Sequence, residues 1–223
     1  MRHALTLGEE SFALVPSFIS RSDAEQLRDL YENDRLFRSR IVMERHNFGR
    51  GEYKYFAQPL PATVQSLREE LYRELRPIAN DAMRAMGSDV TYPESHQAFL
   101  EVCFASEQRR PTALLLKYGP GDYNCLHQDL YGPVAFPLQA TIYLSRPGDE
   151  FTGGEVVLAE QKPRAQTRAH VLAPRQGDLL VLPTRAAPRR GANGTYKVNF
   201  KHGVSTVTSG ERFTLGIIFH DAL

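Results

Sequence analysis

The stretch LKYGPGDYNCLHQD, Leu116 to Asp129, decides the reading of this chain because it delivers an imidazole and a carboxylate two residues apart. On a strand, alternate side chains share a face, so His127 and Asp129 are expected to point into one pocket. A second histidine on a later strand completes a two-His, one-carboxylate set, which leaves metal positions open for a small chelating cosubstrate and dioxygen. His202 is the candidate. A His-x-Asp tripeptide alone is weak evidence, but its surroundings change the odds. The run from Lys201 to His220 reads as two β-rich pieces joined by a Ser-Gly turn, a hairpin that places His202 and Arg212 in one cavity. Arginine offers a rigid charged fork for bidentate capture of a carboxylate, the grip that the far end of a dicarboxylate requires.

In these ordered motifs the chain resembles the Fe(II)/2-oxoglutarate dioxygenase superfamily, over roughly Pro111 to Phe219. The upstream piece, from Lys117 through Leu126-His-Gln-Asp129, is similar to AlkB-type nucleic-acid demethylases. The downstream piece, His202-Gly-Val through Gly210-x-Arg212, is closer to prolyl-hydroxylase-like members, as are Gly153–Leu158 and Gly177–Leu182. The chain departs from the AlkB-like pattern at Leu116, where a polar residue is usual, and at His220, where a second arginine is usual. The resemblance implies an α+β, mainly β fold: a double-stranded β-helix (jelly roll, cupin-like) core over 111–223, supported by N-terminal helices within 1–110. It further implies Fe(II) on His127, Asp129 and His202, 2-oxoglutarate paired with Arg212 and contacted by Tyr118, and dioxygen as the other cosubstrate.

Composition fits that reading. With 223 residues, 42% of them hydrophobic, the chain is expected to form one catalytic domain, 1–223, with a substantial core. A net charge of +1 favours no class of partner, and two cysteines, Cys103 and Cys125, give no disulfide scaffold. Cys125 is read as a buried structural thiol. The opening decapeptide lacks the apolar core of a leader, and no apolar run reaches membrane-spanning length, so a cytoplasmic protein is expected.

The first hundred residues read as support for the core. Ser22-Asp-Ala-Glu25 forms a capping box and predicts a helix from about Asp23 to Asn33. A longer helix follows Pro61, with Val64, Leu67, Leu71, Leu75 and Ile78 as its apolar stripe and Gly87 as its stop. Ser95 to Ser106, apolar at Phe99, Val102 and Cys103, is a third helix or an irregular cover. Between the first two helices, residues 40–56 interleave basic and aromatic side chains around two glycines. They read either as a hairpin whose Tyr53, Tyr55 and Phe56 fill the core, or as a flap whose Tyr53 and Tyr55 stack bases.

From Lys162 to Lys201 basic residues accumulate against a single acid, Asp178, which predicts a positive face. Arg185, Arg189 and Arg190 sit within what reads as a long recognition loop, Thr184 to Lys197. His96 and His170 lack metal-ligand spacing, and His220 reads as a strand end or a contact behind the metal site. The expected activity is oxidative demethylation of alkylated DNA or RNA. A protein side-chain hydroxylase and a nonenzymatic β-helix binding protein are the alternatives.

Overall fold

The computed structural model describes residues 5–192 and 194–223. Residues 1–4, part of the opening stretch read for a leader, and Asn193 of the basic run lie outside the described residues. The N-terminal part holds β1 (Ala13–Val15), α1 (Arg21–Asp29), β2 (Phe37–Val42), β3 (Gly49–Arg50), β4 (Glu52–Phe56), α2 (Ala62–Ala85) and α3 (His96–Ala105). Then come β5 (Leu114–Tyr118), β6 (Tyr123–His127), β7 (Leu138–Tyr143), β8 (Phe151–Gly153), β9 (Val156–Gln161) and β10 (Arg168–Leu172). The last elements are β11 (Leu179–Pro183), β12 (Ala186–Gly191), β13 (Gly194–Val204), β14 (Val207–Gly210) and β15 (Arg212–Ile217).

Seven strands form one antiparallel sheet in the order β1-β11-β7-β15-β5-β4-β2. A second sheet runs β10-β9-β13-β6-β3, with β12 paired to β13, and β14 pairs with β8. A period of two sorts the larger sheet's side chains. Leu115, Ala140, Ile142, Leu179, Val181, Phe213, Leu215 and Ile217 join the helices in the main core. Their neighbours Leu114, Leu116, Tyr118, Gln139, Tyr143, Leu180, Leu182, Arg212 and Thr214 instead line a cavity shared with the second sheet. Both faces of the larger sheet are thus covered, which explains why β11 reads as an unbroken apolar run. This is the double-stranded β-helix arrangement. Residues before 111 supply not only helices but also β1, β2 and β4 of the large sheet and β3 of the other.

Helix α1 starts two residues earlier than the Ser22 box predicts. Two boxes overlap here, and Ser20 takes the cap: its Oγ accepts from the Asp23 backbone N–H at 3.1 Å while Asp23 answers the Ser20 N–H at 3.4 Å. Arg21 pairs with Glu25 one turn on, and the helix gives way after Asp29 to a 3-10 turn at Leu30–Glu32 rather than continuing to Asn33. Helix α2 follows Pro61 and buries Val64, Leu67, Leu71 and Leu75, with Gly87 at positive φ beyond its end. Helix α3 is capped by Ser95 and buries Phe99 and Cys103, whereas Val102 faces out.

Two buried polar residues tie the helices to the C-terminal segment. Arg68 of α2, fully buried, donates to the carbonyls of Ile218 (2.9 Å) and Phe219 (3.1 Å) and pairs with Asp221 (2.7 Å). His96 bonds the Phe219 carbonyl through Nε2 at 2.8 Å. Burial and the neighbouring Arg68 charge push the His96 pKa down to about 3, so the ring is neutral in the fold. Between about pH 6.5 and pH 3 the unfolded chain therefore holds a proton that the fold refuses. The stabilisation is whole above pH 6.5 and drains away as the pH falls. Thermal melts from pH 7.5 to 4.5 are expected to lose stability, and His96→Gln, which keeps an amide donor for Phe219, is expected to flatten that loss.

Candidate active site

Sheet pairing sets the two histidines side by side. His127 ends β6 directly opposite His202 of β13, and their ring centroids lie 4.2 Å apart. Asp129 stands two residues past the end of β6 rather than on it, yet its carboxylate turns back to the same place. Its Oδ1 is 3.5 Å from His127 Nε2 and its Oδ2 is 3.2 Å from His202 Nε2. One ligand atom from each of the three residues falls within 4.8 Å of the others.

The donor set suits a divalent cation. His127 Nδ1 lies 2.8 Å from the Cys125 carbonyl, a bond that places a proton on Nδ1 and leaves Nε2 as the ring atom directed at Asp129. Burial lowers the His127 pKa, but the hydrogen bond and charge of Asp129 outweigh it and raise the value. Burial raises the Asp129 pKa, but the hydrogen bonds and charges of His127 and His202 outweigh it and hold the carboxyl well below the ordinary range. Burial and the charge of His127 push the His202 pKa down. Among the described residues no lysine or arginine pairs with Asp129.

Sequence reasoning did not find the residues that hold this carboxylate. Tyr131 donates its hydroxyl to Asp129 Oδ1 at 2.8 Å, and the Gln139 amide donates to Oδ2 at 2.9 Å while standing 3.2 Å from His202 Nε2. A glutamine in the otherwise apolar and small run Phe136–Tyr143 was the available signal. Partners placed behind metal ligands typically contribute about 10–100-fold in metal affinity. Gln139→Leu, close in volume but without donors, is therefore expected to weaken Fe(II) or Mn(II) binding by that order in an anaerobic titration.

Arg212 does not reach the cavity by a hairpin with His202. β13 and β15 belong to different sheets, with β14 crossing between them to pair with β8, because the Ser-Gly turn marks a change of sheet. Arg212 and His202 nonetheless line the same cavity of about 580 Å³. Arg212 is 3% exposed, and its guanidinium lies 5.3 Å from the Tyr118 ring and 5.5 Å from the Tyr143 ring. It has no carboxylate partner among the described residues, and one of its nitrogens has no hydrogen-bond partner. A buried, unpaired arginine beside a cavity is a receptor for an anion. Gly154 makes room for it, since a Cβ there would meet Arg212 Cδ at 2.9 Å. Tyr118 is fully buried, and its hydroxyl accepts from Asn124 at 3.2 Å.

Other expected residues sort differently. Tyr53 lies on the cavity wall, but Tyr55 is buried, bonded to Tyr131 at 3.1 Å and covered by Arg38, so it has no open face for a base. Thr184 to Lys197 is not a long loop: it is mostly the β12–β13 hairpin. Arg185 and Arg190 are exposed, whereas Arg189 is held by Glu10 (3.7 Å), Glu160 (3.5 Å) and Ser11 (3.0 Å). Arg168 and Lys162 also face Glu10 and Glu160, which lowers the charge of the predicted positive face. His170 joins Glu10 and Glu160 in this same network, where those cations already balance the acids. Cys125 is exposed on the cavity wall instead of buried. His220 is buried behind the metal site, its Nδ1 accepting from the Phe136 N–H at 3.2 Å, and Asp221 pairs with Arg68 rather than with it.

A family model described as "Oxygenase, catalysing oxidative methylation of damaged DNA" matches residues 51–222. The chain belongs to this oxygenase family. An uncharacterized protein of Mycobacterium tuberculosis strain H37Rv is 46% identical over 167 residues, which are 75% of this chain and 72% of the relative. A protein of strain CDC 1551 of the same organism matches with the same figures. Among solved structures, a prolyl-4-hydroxylase of Pseudomonas putida aligns with a TM-score of 0.57 at 13% identity, covering 96% of this chain and 94% of that one. A Trichoplax adhaerens prolyl hydroxylase, solved with a peptide of hypoxia inducible factor, aligns at 0.54 and 16% identity, covering 95% and 84%. At these identities the likeness is one of fold. Family and fold together place this oxygenase in the Fe(II)/2-oxoglutarate oxygenase superfamily, whose members use Fe(II), 2-oxoglutarate and dioxygen.

Proposed function

We propose that this oxygenase removes alkyl groups from nucleic-acid bases, with Fe(II) held by His127, Asp129 and His202 and the distal carboxylate of 2-oxoglutarate held by Arg212. The observation that carries the reading is the union, in one cavity, of a carboxylate-and-imidazole triad with a buried arginine that lacks a counter-charge. When bound, the metal with its cosubstrate and dioxygen supplies an oxidant that hydroxylates a C–H bond, with succinate and carbon dioxide as coproducts.

The protein's part is binding, orientation and exclusion of water. His127, His202 and an anionic Asp129 form a donor set whose carboxylate Tyr131 and Gln139 hold in place. Arg212, desolvated between two tyrosine rings, gives a dicarboxylate one fixed orientation. Leu114, Leu116, Leu180, Leu182 and Ile218 add apolar side chains to the wall, which strengthens the electrostatic contacts beside them and limits water near the reacting carbon. A hydroxylated N-methyl group is a hemiaminal and collapses to formaldehyde and the repaired base. The family's description names damaged DNA, and Arg185 and Arg190, exposed and without an ion-pair partner among the described residues, offer positive charge on the β12–β13 side.

Incubation of the full chain with Fe(II), 2-oxoglutarate and methylated single- and double-stranded DNA or RNA is expected to release formaldehyde with stoichiometric succinate. No formaldehyde and no loss of the lesion, from protein that consumes 2-oxoglutarate, sinks the reading. The shared fold with prolyl hydroxylases keeps a second reading in view, hydroxylation of a protein side chain. A gain of one oxygen mass on a captured peptide favours it.

A further inference from the structure

We infer that the turn carrying His46 and Phe48 is a stacking platform for a base of single-stranded nucleic acid, placed at the mouth of the cavity. The inference rests on the nucleic-acid reading above and names the surface that grips the strand. Phe48 lines the cavity yet is 49% exposed, and the His46 ring lies against it with centroids 5.4 Å apart and planes 22° apart. Leu126 and Leu130, 46% and 41% exposed, continue the apolar rim along the same mouth. Large apolar side chains left open together around an entrance mark a contact surface.

The platform is fixed to the metal-bearing strand. The Cys125 N–H donates to the Phe48 carbonyl at 2.9 Å, and the Phe48 N–H donates to Met43 at 3.1 Å. Gly49 and Arg50 pair with Asn124 and Tyr123 of β6, the strand that ends in His127. Gly49 permits the close approach: at φ +128° a Cβ there would stand 2.4 Å from the Tyr123 carbonyl. The distance from the aromatic rim to the triad is therefore set by sheet pairing rather than by a free loop.

Charge points to a polyanion as the occupant. Arg45, next to His46, is exposed and has no partner among the described residues, while Arg50 meets Glu44 only at 3.9 Å. Across the mouth, Gln128 bonds the carbonyls of Arg185 (3.2 Å) and Phe200 (2.7 Å), which sets the exposed Arg185 beside the cavity. Cations on both sides of an aromatic rim match a backbone passing across the mouth with its bases turned inward. In a duplex both faces of a base are taken by its neighbours, so the platform serves an unstacked strand.

The chain contains no tryptophan, so Phe48→Trp installs a single reporter at the platform. A dye-labelled N-methylated single-stranded oligonucleotide, titrated with the full chain and followed by anisotropy, is expected to bind Phe48→Ala about ten-fold more weakly than wild type. Phe48→Trp is expected to bind like wild type, with its emission quenched on saturation. Circular dichroism melts matching wild type for Phe48→Ala separate lost stacking from lost folding. Wild-type binding with Phe48→Ala unchanged, or saturation of Phe48→Trp without quenching, overturns the platform and leaves the nucleic-acid reading standing. A wild-type chain that binds no oligonucleotide, or that oxidises peptide instead, overturns both.

Discussion

Arg212→Ala is expected to weaken 2-oxoglutarate binding by on the order of 10²–10³-fold while leaving metal binding close to wild type. Removing one partner of a buried, hydrogen-bonded charge pair costs about 2–5 kcal/mol, and here the cosubstrate's carboxylate would face Tyr118 and Tyr143 with no counter-charge. The triad is spared because its histidines lie on β6 and β13, in the sheet that does not contain Arg212. Arg212→Lys restores charge but not the fork, and the volume between the rings is shaped for a planar group, so partial rescue is expected. Anaerobic titration of the metal and then of 2-oxoglutarate separates the two affinities. His127→Ala supplies the opposite pattern, with the metal lost first. Equal loss of metal in Arg212→Ala would show that the two sheets do not hold their ligands independently.

Arg68→Leu is expected to destabilise the fold by about 3–5 kcal/mol, the range for breaking a buried ion pair from one side. The loss has two parts: Asp221 is left buried without its partner, and the carbonyls of Ile218 and Phe219 lose their donor. Asp221→Asn, which keeps an acceptor for the guanidinium, is expected to cost less. Denaturant unfolding monitored by tyrosine fluorescence reads both. A loss in Arg68→Leu no larger than in a surface arginine variant such as Arg73→Leu would mean that the C-terminal segment is held by apolar packing alone.

The chemistry-bearing residues were legible because they are identities at fixed separations, and His127, Asp129, His202 and Arg212 do line one cavity. What carries them was less so. A hairpin between Lys201 and His220 is the local solution, but Gly210 serves the β8–β14 pair, and this long-range pairing sends β15 into the other sheet. The start of α1 was displaced because two capping boxes overlap and composition does not rank them. The basic run overstates the charge of that face for a different reason: Glu10, which counters Arg168 and Arg189, lies far along the chain, so a local charge sum cannot include it. Tyr131 and Gln139 earn their roles only from geometry around Asp129, which no spacing encodes.

The division of the cavity between two sheets has a thermodynamic consequence. On the proposed reading, a dicarboxylate that met the metal held from one sheet and Arg212 on the other would act as a rivet through the sandwich and would stabilise the folded state. Any ligand that binds only the folded state adds RT ln(1 + [L]/Kd), about 2.7 kcal/mol at a hundred times Kd. On that reading the melting temperature of this oxygenase would become a gauge of free cosubstrate, tying the lifetime of the protein to the supply of a small organic acid.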